Sequence, residues 1–155
     1  MRAKRCAFGT AMKSVIAALA VANATTARAA DGVAVYDRVC VACHQPGGVG
    51  VTGLAPPVAA KHLANAATKN PNYAVLVVLN GLSGHLPLAD GQEMTGIMPP
   101  VGASLTDDEV ADVVNYVYGT LNGAKSAIDG KAVAALRAEK PTAKDLRTLR
   151  EELLK

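Results

Sequence analysis

Apolar residues recur at the three- and four-residue spacing of a helix face along several stretches of the chain. The first predicted helix runs from Asp31 to about Ala42, and Val35 and Val39 lie on its apolar face. A second helix opens at Pro71 and ends at Asn80-Gly81, because glycine is common just past a helix end. Its apolar positions are Tyr73, Leu76, Val77 and Leu79.

Two further helices carry start signals in the sequence. Thr106 is followed three residues later by Glu109, and this pair predicts a capping box at the start of a helix that ends near Asn122-Gly123. The apolar positions of that helix are Val110, Val113, Val114 and Val117. Thr142 is the predicted N-cap of a last helix, whose apolar stripe is Leu146, Leu149 and Leu153. A short helix is also predicted near residues 62–67.

Glycine and proline separate these helices. Residues 45–57 are rich in both and are predicted to form a loop, and residues 82–103 also have a loop-like composition. No stretch shows the alternation of apolar and polar residues that is typical of a half-buried strand. The sequence therefore predicts an all-α fold with no strands.

The N-terminus has the form of a secretory signal peptide. Its basic N-terminal region contains Arg2, Lys4, Arg5 and Lys13. The apolar run Val15–Ala24 is about half the roughly 20 residues that a membrane-spanning helix needs, which argues against an uncleaved anchor. Ala27-Arg28-Ala29 fits a cleavage site, so residues 1–29, with Cys6, are expected to be removed. The mature chain is expected in the periplasm, with no membrane span.

Removal of this segment reverses the charge of the chain. The full sequence has a formal net charge of +3, whereas residues 30–155 contain 11 basic and 13 acidic residues, a net charge of −2. The basic character thus belongs to the leader and does not indicate nucleic-acid binding. The remaining charge is uneven, because residues 31–123 carry 3 basic and 8 acidic residues and residues 124–155 carry 8 basic and 5 acidic residues.

The candidate chemistry lies in the C-x-x-C-H sequence Cys40-Val41-Ala42-Cys43-His44, the motif of covalent haem attachment. Cysteines three residues apart lie on one side of a helical turn, where they can form thioethers with the two vinyl groups of one porphyrin edge. His44 is then directed to the iron. A zinc site needs about four ligands, and the sequence has no second cysteine pair. A dithiol redox centre would accompany a βαβ pattern, and a structural disulfide would leave His44 unexplained.

Four segments of the chain resemble the class I c-type cytochromes, the family of monohaem cytochrome c and its bacterial relatives, and they occur in the same order as in that family. Gly32 and Tyr36 precede the haem motif as in the first helix of that family. Three later segments resemble its proline loop, its axial-methionine loop and its last helix; they are Gly53–Val58, Gly96–Gly102 and Leu105–Val117. The resemblance covers Asp31 to about Leu121. It implies a small all-α cytochrome c fold wrapped around one covalently bound haem c, with the first and last helices crossing.

The sixth iron ligand has several candidates, which are Met94, Met98, His62 and His85. Met98 precedes Pro99-Pro100, and a following proline disfavours the helical conformation and favours an extended strap. The resemblance also implies Met98 as the axial ligand, a core-filling role for Met94, and a hydrogen bond from His44 to the carbonyl of Pro56, with Pro57 as the alternative acceptor. His62 and His85 are expected at the surface.

Two strong axial ligands leave the iron no open position, so the expected chemistry is one-electron Fe(III)/Fe(II) exchange. The predicted function is a periplasmic electron carrier, or the cytochrome subunit of a periplasmic dehydrogenase or oxidase, and not an enzyme by itself. Its expected partners are a dehydrogenase donor and an oxidase or reductase acceptor, with no nucleic acid. A haem enzyme or gas sensor with a labile sixth ligand is the alternative.

Three regions are therefore predicted: a signal peptide (residues 1–29), a cytochrome c domain (residues 30–123) and a C-terminal helical extension (residues 124–155). The extension lies beyond the family resemblance, and two roles are open for it. It packs on the domain through its leucine stripe, or it also docks a partner protein, since weak and fast contacts are typically steered by charge. The basic residues for such docking are Arg137, Lys140, Lys144, Arg147 and Arg150.

Overall fold

The structure, a computed structural model, describes residues 32–155. The predicted signal peptide and its cleavage site lie outside the described residues. The helices are α1 (residues 32–44, with a π-helical turn at Tyr36–Cys40 and an α-helical turn at Val41–His44), α2 (Lys61–Lys69), α3 (Asn72–Asn80), α4 (Asp107–Tyr116, continued by a π-helical turn at Val117–Leu121), α5 (Gly130–Leu136) and α6 (Ala143–Leu154). Short 3₁₀ turns lie at Pro46–Gly48 and Gly102–Ser104.

Local hydrogen bonds fix where the later helices begin. At α4, the Thr106 hydroxyl accepts from the backbone N–H of Glu109, whose carboxylate accepts from the Thr106 N–H, so the predicted capping box is confirmed. Thr142 forms the same arrangement with Asp145 at the start of α6, which confirms it as the N-cap. Each such cap satisfies backbone donors that would lack a partner, and stabilises the fold by about 1 kcal/mol.

A β-hairpin occupies much of the segment predicted as loop. Strands β1 (Leu82–Pro87) and β2 (Glu93–Met98) pair antiparallel, with Leu82 opposite Met98. The prediction of no strands is therefore wrong, and residues 32–155 form a helical fold with one two-stranded sheet. The two facing glycines, Gly84 and Gly96, and Pro87 at a strand end hide the alternating pattern. The hairpin is stabilised by packing of β1 against α6, which local sequence does not show.

Helix α1 meets helix α4 at a close crossing. A Cβ added at Gly32 would lie 2.9 Å from the Cβ of Tyr116 and would contact the backbone carbonyl of Asp112. The Tyr36 and Tyr116 rings pack beside this point with their centroids 5.2 Å apart and tilted by 58°. This agrees with the crossing that the family resemblance implied, and glycine is what permits the close approach.

The C-terminal extension packs on the rest of the fold. Helix α5 contacts α4, and α6 contacts α2, α3 and β1. Leu146 and Leu153 are buried and Leu149 is half-buried, so the packing predicted for the leucine stripe is confirmed. Among residues 32–155, no helix is both long enough and apolar enough to span a membrane.

Three of the five basic residues proposed for docking are buried or half-buried and hydrogen-bond within the protein. The docking hypothesis is wrong for Arg150, which is buried, and stays a prediction for the other four. Arg150 is buried, with 3% of its surface exposed. Arg137 pairs with Asp107 and donates to two backbone carbonyls, and Arg147 donates to the carbonyl of Ser83. Only Lys140 and Lys144 of the five are exposed. The three arginines of the extension therefore contribute to packing, because they bind backbone carbonyls and, for Arg137, the carboxylate of Asp107.

Candidate functional site

The two cysteines lie at the end of α1, on the same side of the helix because they are three residues apart. Both are free thiols; Cys40 is half-buried and Cys43 is exposed. Burial, with a smaller contribution from Cys43, raises the pKa of Cys40 to about 11. Cys40 is therefore a thiol in the chain without cofactor. Within residues 32–155, no group of three or more His, Cys, Asp or Glu could hold a metal ion.

His44 is the last residue of α1, and its side chain is buried. Its Nδ1 lies 3.0 Å from the carbonyl oxygen of Pro56. Because a carbonyl only accepts, Nδ1 carries the proton, and Nε2 is the nitrogen that can bind a metal. Burial lowers the pKa of His44, and the hydrogen bond to Pro56 opposes this shift only in part. A neutral imidazole is the form that binds iron.

The loop that places Pro56 is folded back on itself by backbone hydrogen bonds. The N–H groups of Val58 and Ala59 both donate to the carbonyl of Gly48, at 2.8 and 3.0 Å. Gly50 has a φ of 72°, and a Cβ there would lie 2.7 Å from the carbonyl carbon of Pro56. Glycine at this position lets the loop approach closely enough for Pro56 to reach His44.

Met98 is the last residue of β2, so the extended conformation expected before Pro99 is present. It pairs with Leu82, and its own carbonyl oxygen lies against Gly81, where an added Cβ would be 2.7 Å away. Gly81 has a φ of 75° at the end of α3. The segment Met98–Pro100 is called the methionine strap below. The hairpin and the contact at Gly81 fix its position.

Two adjoining cavities separate α1 from the strap. The inner cavity has about 670 Å³ of empty space and the outer one about 520 Å³, and both figures include space open to solvent. Four residues line both cavities: His44, Pro56, Leu82 and Met98. Cys40 lines the inner cavity and Cys43 the outer one, and most other lining residues are apolar. Together the two cavities form an apolar slot, with one cysteine thiol in each cavity and with His44 and Met98 lining both. This arrangement fits a flat macrocycle that is held by two thioethers.

The other candidate ligands have different surroundings. Of the two cavities described above, Met94 lines the outer one, and it packs against the core, in agreement with its expected role. His85 is exposed and pairs with Glu93, as expected of a surface residue. The surface position predicted for His62 is wrong, because His62 is 2% exposed and lines the inner cavity. It lies one turn before the buried Ala66 on α2, a spacing that gave a signal for burial.

Arg150 and Tyr73 also line the inner cavity, and sequence reasoning did not place either at the site. Arg150 follows Leu146 by four residues and precedes Leu153 by three, so it lies on the buried stripe of α6. That spacing indicates that Arg150 is buried, but a charged residue is normally expected at the surface. Tyr73 was assigned to an apolar helix face without reference to a site.

Comparison with known proteins identifies the family. Residues 29–120 match the family model described as Cytochrome c. The chain is 33% identical over 137 residues to cytochrome c-552 of Thermus thermophilus, which covers 87% of this chain and 90% of that protein. It is 38% identical over 109 residues to the gluconate 2-dehydrogenase cytochrome c subunit of Pantoea cypripedii, covering 70% of this chain and 24% of that subunit. The fructose dehydrogenase cytochrome subunit of Gluconobacter japonicus is 31% identical over 124 residues, covering 75% of this chain and 24% of the subunit.

The chain therefore spans nearly all of a small cytochrome and about a quarter of the dehydrogenase subunits. The family match, the paired thiols and the histidine and methionine of the apolar slot agree with one another. The chain belongs to the cytochrome c family and is a monohaem c-type cytochrome, an electron carrier with covalently bound haem c.

Proposed function

We propose that the mature protein is an exported one-electron carrier in which Cys40 and Cys43 hold the haem and His44 and Met98 are the axial iron ligands. The observation that carries this proposal is that His44 and Met98 line the same two cavities, from separate elements. When bound, the haem supplies one-electron Fe(III)/Fe(II) chemistry. The protein groups bind and orient it and exclude water.

The residues around the slot favour fast electron exchange at a raised reduction potential. The Pro56 carbonyl holds the tautomer and orientation of His44, so this ligand is preorganised. The strap holds Met98 in the same way, and a thioether sulfur stabilises the ferrous form. An apolar lining also disfavours the more highly charged ferric state. A site fixed in this manner rearranges little when its charge changes, which suits an electron-transfer protein and not an enzyme.

The relatives support a proposal about the donor. Two of them are named as cytochrome subunits of sugar or sugar-acid dehydrogenases, and others as alcohol dehydrogenase subunits. We therefore infer that a periplasmic dehydrogenase reduces this protein and that an oxidase or reductase oxidises it. In this proposal residues 1–29 are a signal peptide removed on export, residues 30–123 form the cytochrome c domain, and residues 124–155 form an extension.

Replacing the two methionines separately tests the axial ligation. The oxidised holoprotein should show the weak far-red band of sulfur-to-iron(III) charge transfer. Met98→Ala should abolish this band and lower the reduction potential. Met94→Ala is the matched control, because Met94 lies on the same strand and, of the two cavities of the slot, lines the outer one, and it should keep the band. Loss of the band in Met94→Ala and not in Met98→Ala would overturn the assignment.

A further inference from the structure

Arg150 is a buried cation without a carboxylate partner in the described part of the chain. Its Nη1 donates to Nε2 of His62 at 2.5 Å, and its Nε donates to the carbonyl of Pro87 at 3.3 Å. The ion pairs found among residues 32–155 are Arg38–Glu109, His85–Glu93 and Arg137–Asp107. A buried charge is costly unless it is paired, so this guanidinium calls for an anion.

His62 presents a second donor at the same place. Because its Nε2 accepts from Arg150, its proton is on Nδ1. This Nδ1 is buried and has no hydrogen-bond partner among the described residues. Burial, with the nearby charge of Arg150 as a smaller cause, lowers the pKa of His62 to about 3, so the ring is neutral. The pair thus offers an imidazole N–H and the remaining N–H groups of a guanidinium.

Both residues line the inner cavity, which has no Asp or Glu in its lining. They also line a neighbouring cavity of about 590 Å³, where the one carboxylate is that of Asp90. Asp90 is exposed and accepts from the backbone N–H of Gln92, so it does not compensate Arg150. Tyr73, on α3, is the other titratable group beside Arg150, and burial raises its pKa, which keeps it neutral. Its hydroxyl also hydrogen-bonds to Arg150, but a neutral phenol does not balance the charge of the guanidinium. Among the described residues, Arg150 therefore lacks a carboxylate partner and His62 Nδ1 lacks an acceptor.

Haem carries two propionate carboxylates, and the inner cavity is part of the slot that fits it. We propose that Arg150 and His62 bind a haem propionate, so that α6 of the C-terminal extension completes the cofactor site. This inference rests on the haem position in the proposed function. A guanidinium suits the role because its planar fork matches a carboxylate with two parallel hydrogen bonds. The extension then contributes directly to the redox centre.

Substitution of Arg150 tests this role in the purified holoprotein. The propionate bending band in the resonance Raman spectrum reports hydrogen bonding to the carboxylate, and spectroelectrochemistry gives the potential. Arg150→Gln should shift the band to lower frequency and lower the potential at neutral pH, because loss of a nearby cation stabilises the ferric form. His62→Gln should shift the band as well. Arg147→Gln is the control, because Arg147 is on the same helix but binds Ser83 and does not line the inner cavity.

The outcomes separate this inference from the proposed function. Suppose that Arg150→Gln keeps the far-red band, and that its Raman band and reduction potential equal those of the control Arg147→Gln. Arg150 then does not bind a propionate, and the inference is overturned. If the wild-type protein lacks the far-red band, the axial ligation fails first. If Arg150→Gln does not retain haem, Arg150→Lys replaces it in the test, because lysine keeps the positive charge but lacks the planar guanidinium that forms two parallel hydrogen bonds. An unshifted Raman band in Arg150→Lys would also overturn the inference.

Discussion

Replacing Leu146 by alanine tests whether the extension is a structural part of the protein. The Leu146 side chain has 0% of its surface exposed, and α6 contacts α2, α3 and β1. Leu→Ala substitutions in protein cores cost about 2–5 kcal/mol, because the cost of the residual cavity adds to the lost transfer free energy. Since elements on several sides hold this helix, the site cannot collapse freely. We expect a loss of about 3–4 kcal/mol in the free energy of unfolding.

Denaturation of the oxidised holoprotein by guanidinium chloride, followed by far-ultraviolet circular dichroism, measures this loss. For a chain of this size it corresponds to a decrease in Tm of roughly 10–20 °C. Thr148→Ala is the control, because Thr148 is exposed on the same helix and should change the stability by less than about 0.5 kcal/mol. A loss below about 1 kcal/mol for Leu146→Ala would refute the packing of α6 on the domain.

Deletion of the whole extension is a less informative perturbation. It would remove four buried apolar residues, which are Val133, Leu136, Leu146 and Leu153. At roughly 1.5–3 kcal/mol for each buried side chain, the gross loss is about 6–12 kcal/mol. A typical domain has a total stability of about 5–15 kcal/mol. We therefore expect a chain that ends at Gly123 to be unstable, and a single substitution is needed to separate packing from other roles.

Three further predictions concern the helix crossing, pH and haem attachment. Gly32→Ala should cost about 1–3 kcal/mol of stability in denaturant titrations, because its Cβ would overlap α4; a loss below about 0.5 kcal/mol would contradict the close crossing. Hydrogen bonds from the Thr106 N–H and Arg38 hold the pKa of Glu109 below its ordinary 4.5, so this carboxylate stabilises the fold above that pH and loses the effect on acidification. Glu109→Gln should consequently show a weaker fall in stability from neutral to acidic pH, and an unchanged fall would refute the linkage. Wild-type haem should stay with the chain through acid–acetone extraction, whereas the double variant Cys40→Ala, Cys43→Ala should not retain it; free extraction from the wild type would refute covalent attachment.

Short-range signals in the sequence predicted much of the fold and the core of the candidate site. The capping box of α4 and the N-cap of α6 depend only on residues within one helical turn, and the haem motif is contained in five consecutive residues. The glycine that ends α3 is equally local. Such features depend on the chain near them, so they can be identified without knowledge of the tertiary structure.

Features that depend on distant contacts could not be predicted in the same way. The hairpin contains Gly84, Gly96 and Pro87, and packing against α6 compensates for their low strand propensity. Arg150 and His62 are 88 residues apart, and their burial makes sense only once α6 lies on α2 beside the cavity. A charged residue is normally expected at the surface, and helical spacing alone did not outweigh that expectation.

The addition of carbon monoxide to the reduced holoprotein tests the central claim most directly. If His44 and Met98 both bind the iron, no coordination position is open, and the protein is an electron carrier. The absorption spectrum of the ferrous protein should then remain unchanged under carbon monoxide at neutral pH. Rapid and complete formation of the carbon monoxide complex would show a labile sixth ligand, and would contradict the account in favour of a haem enzyme or gas sensor.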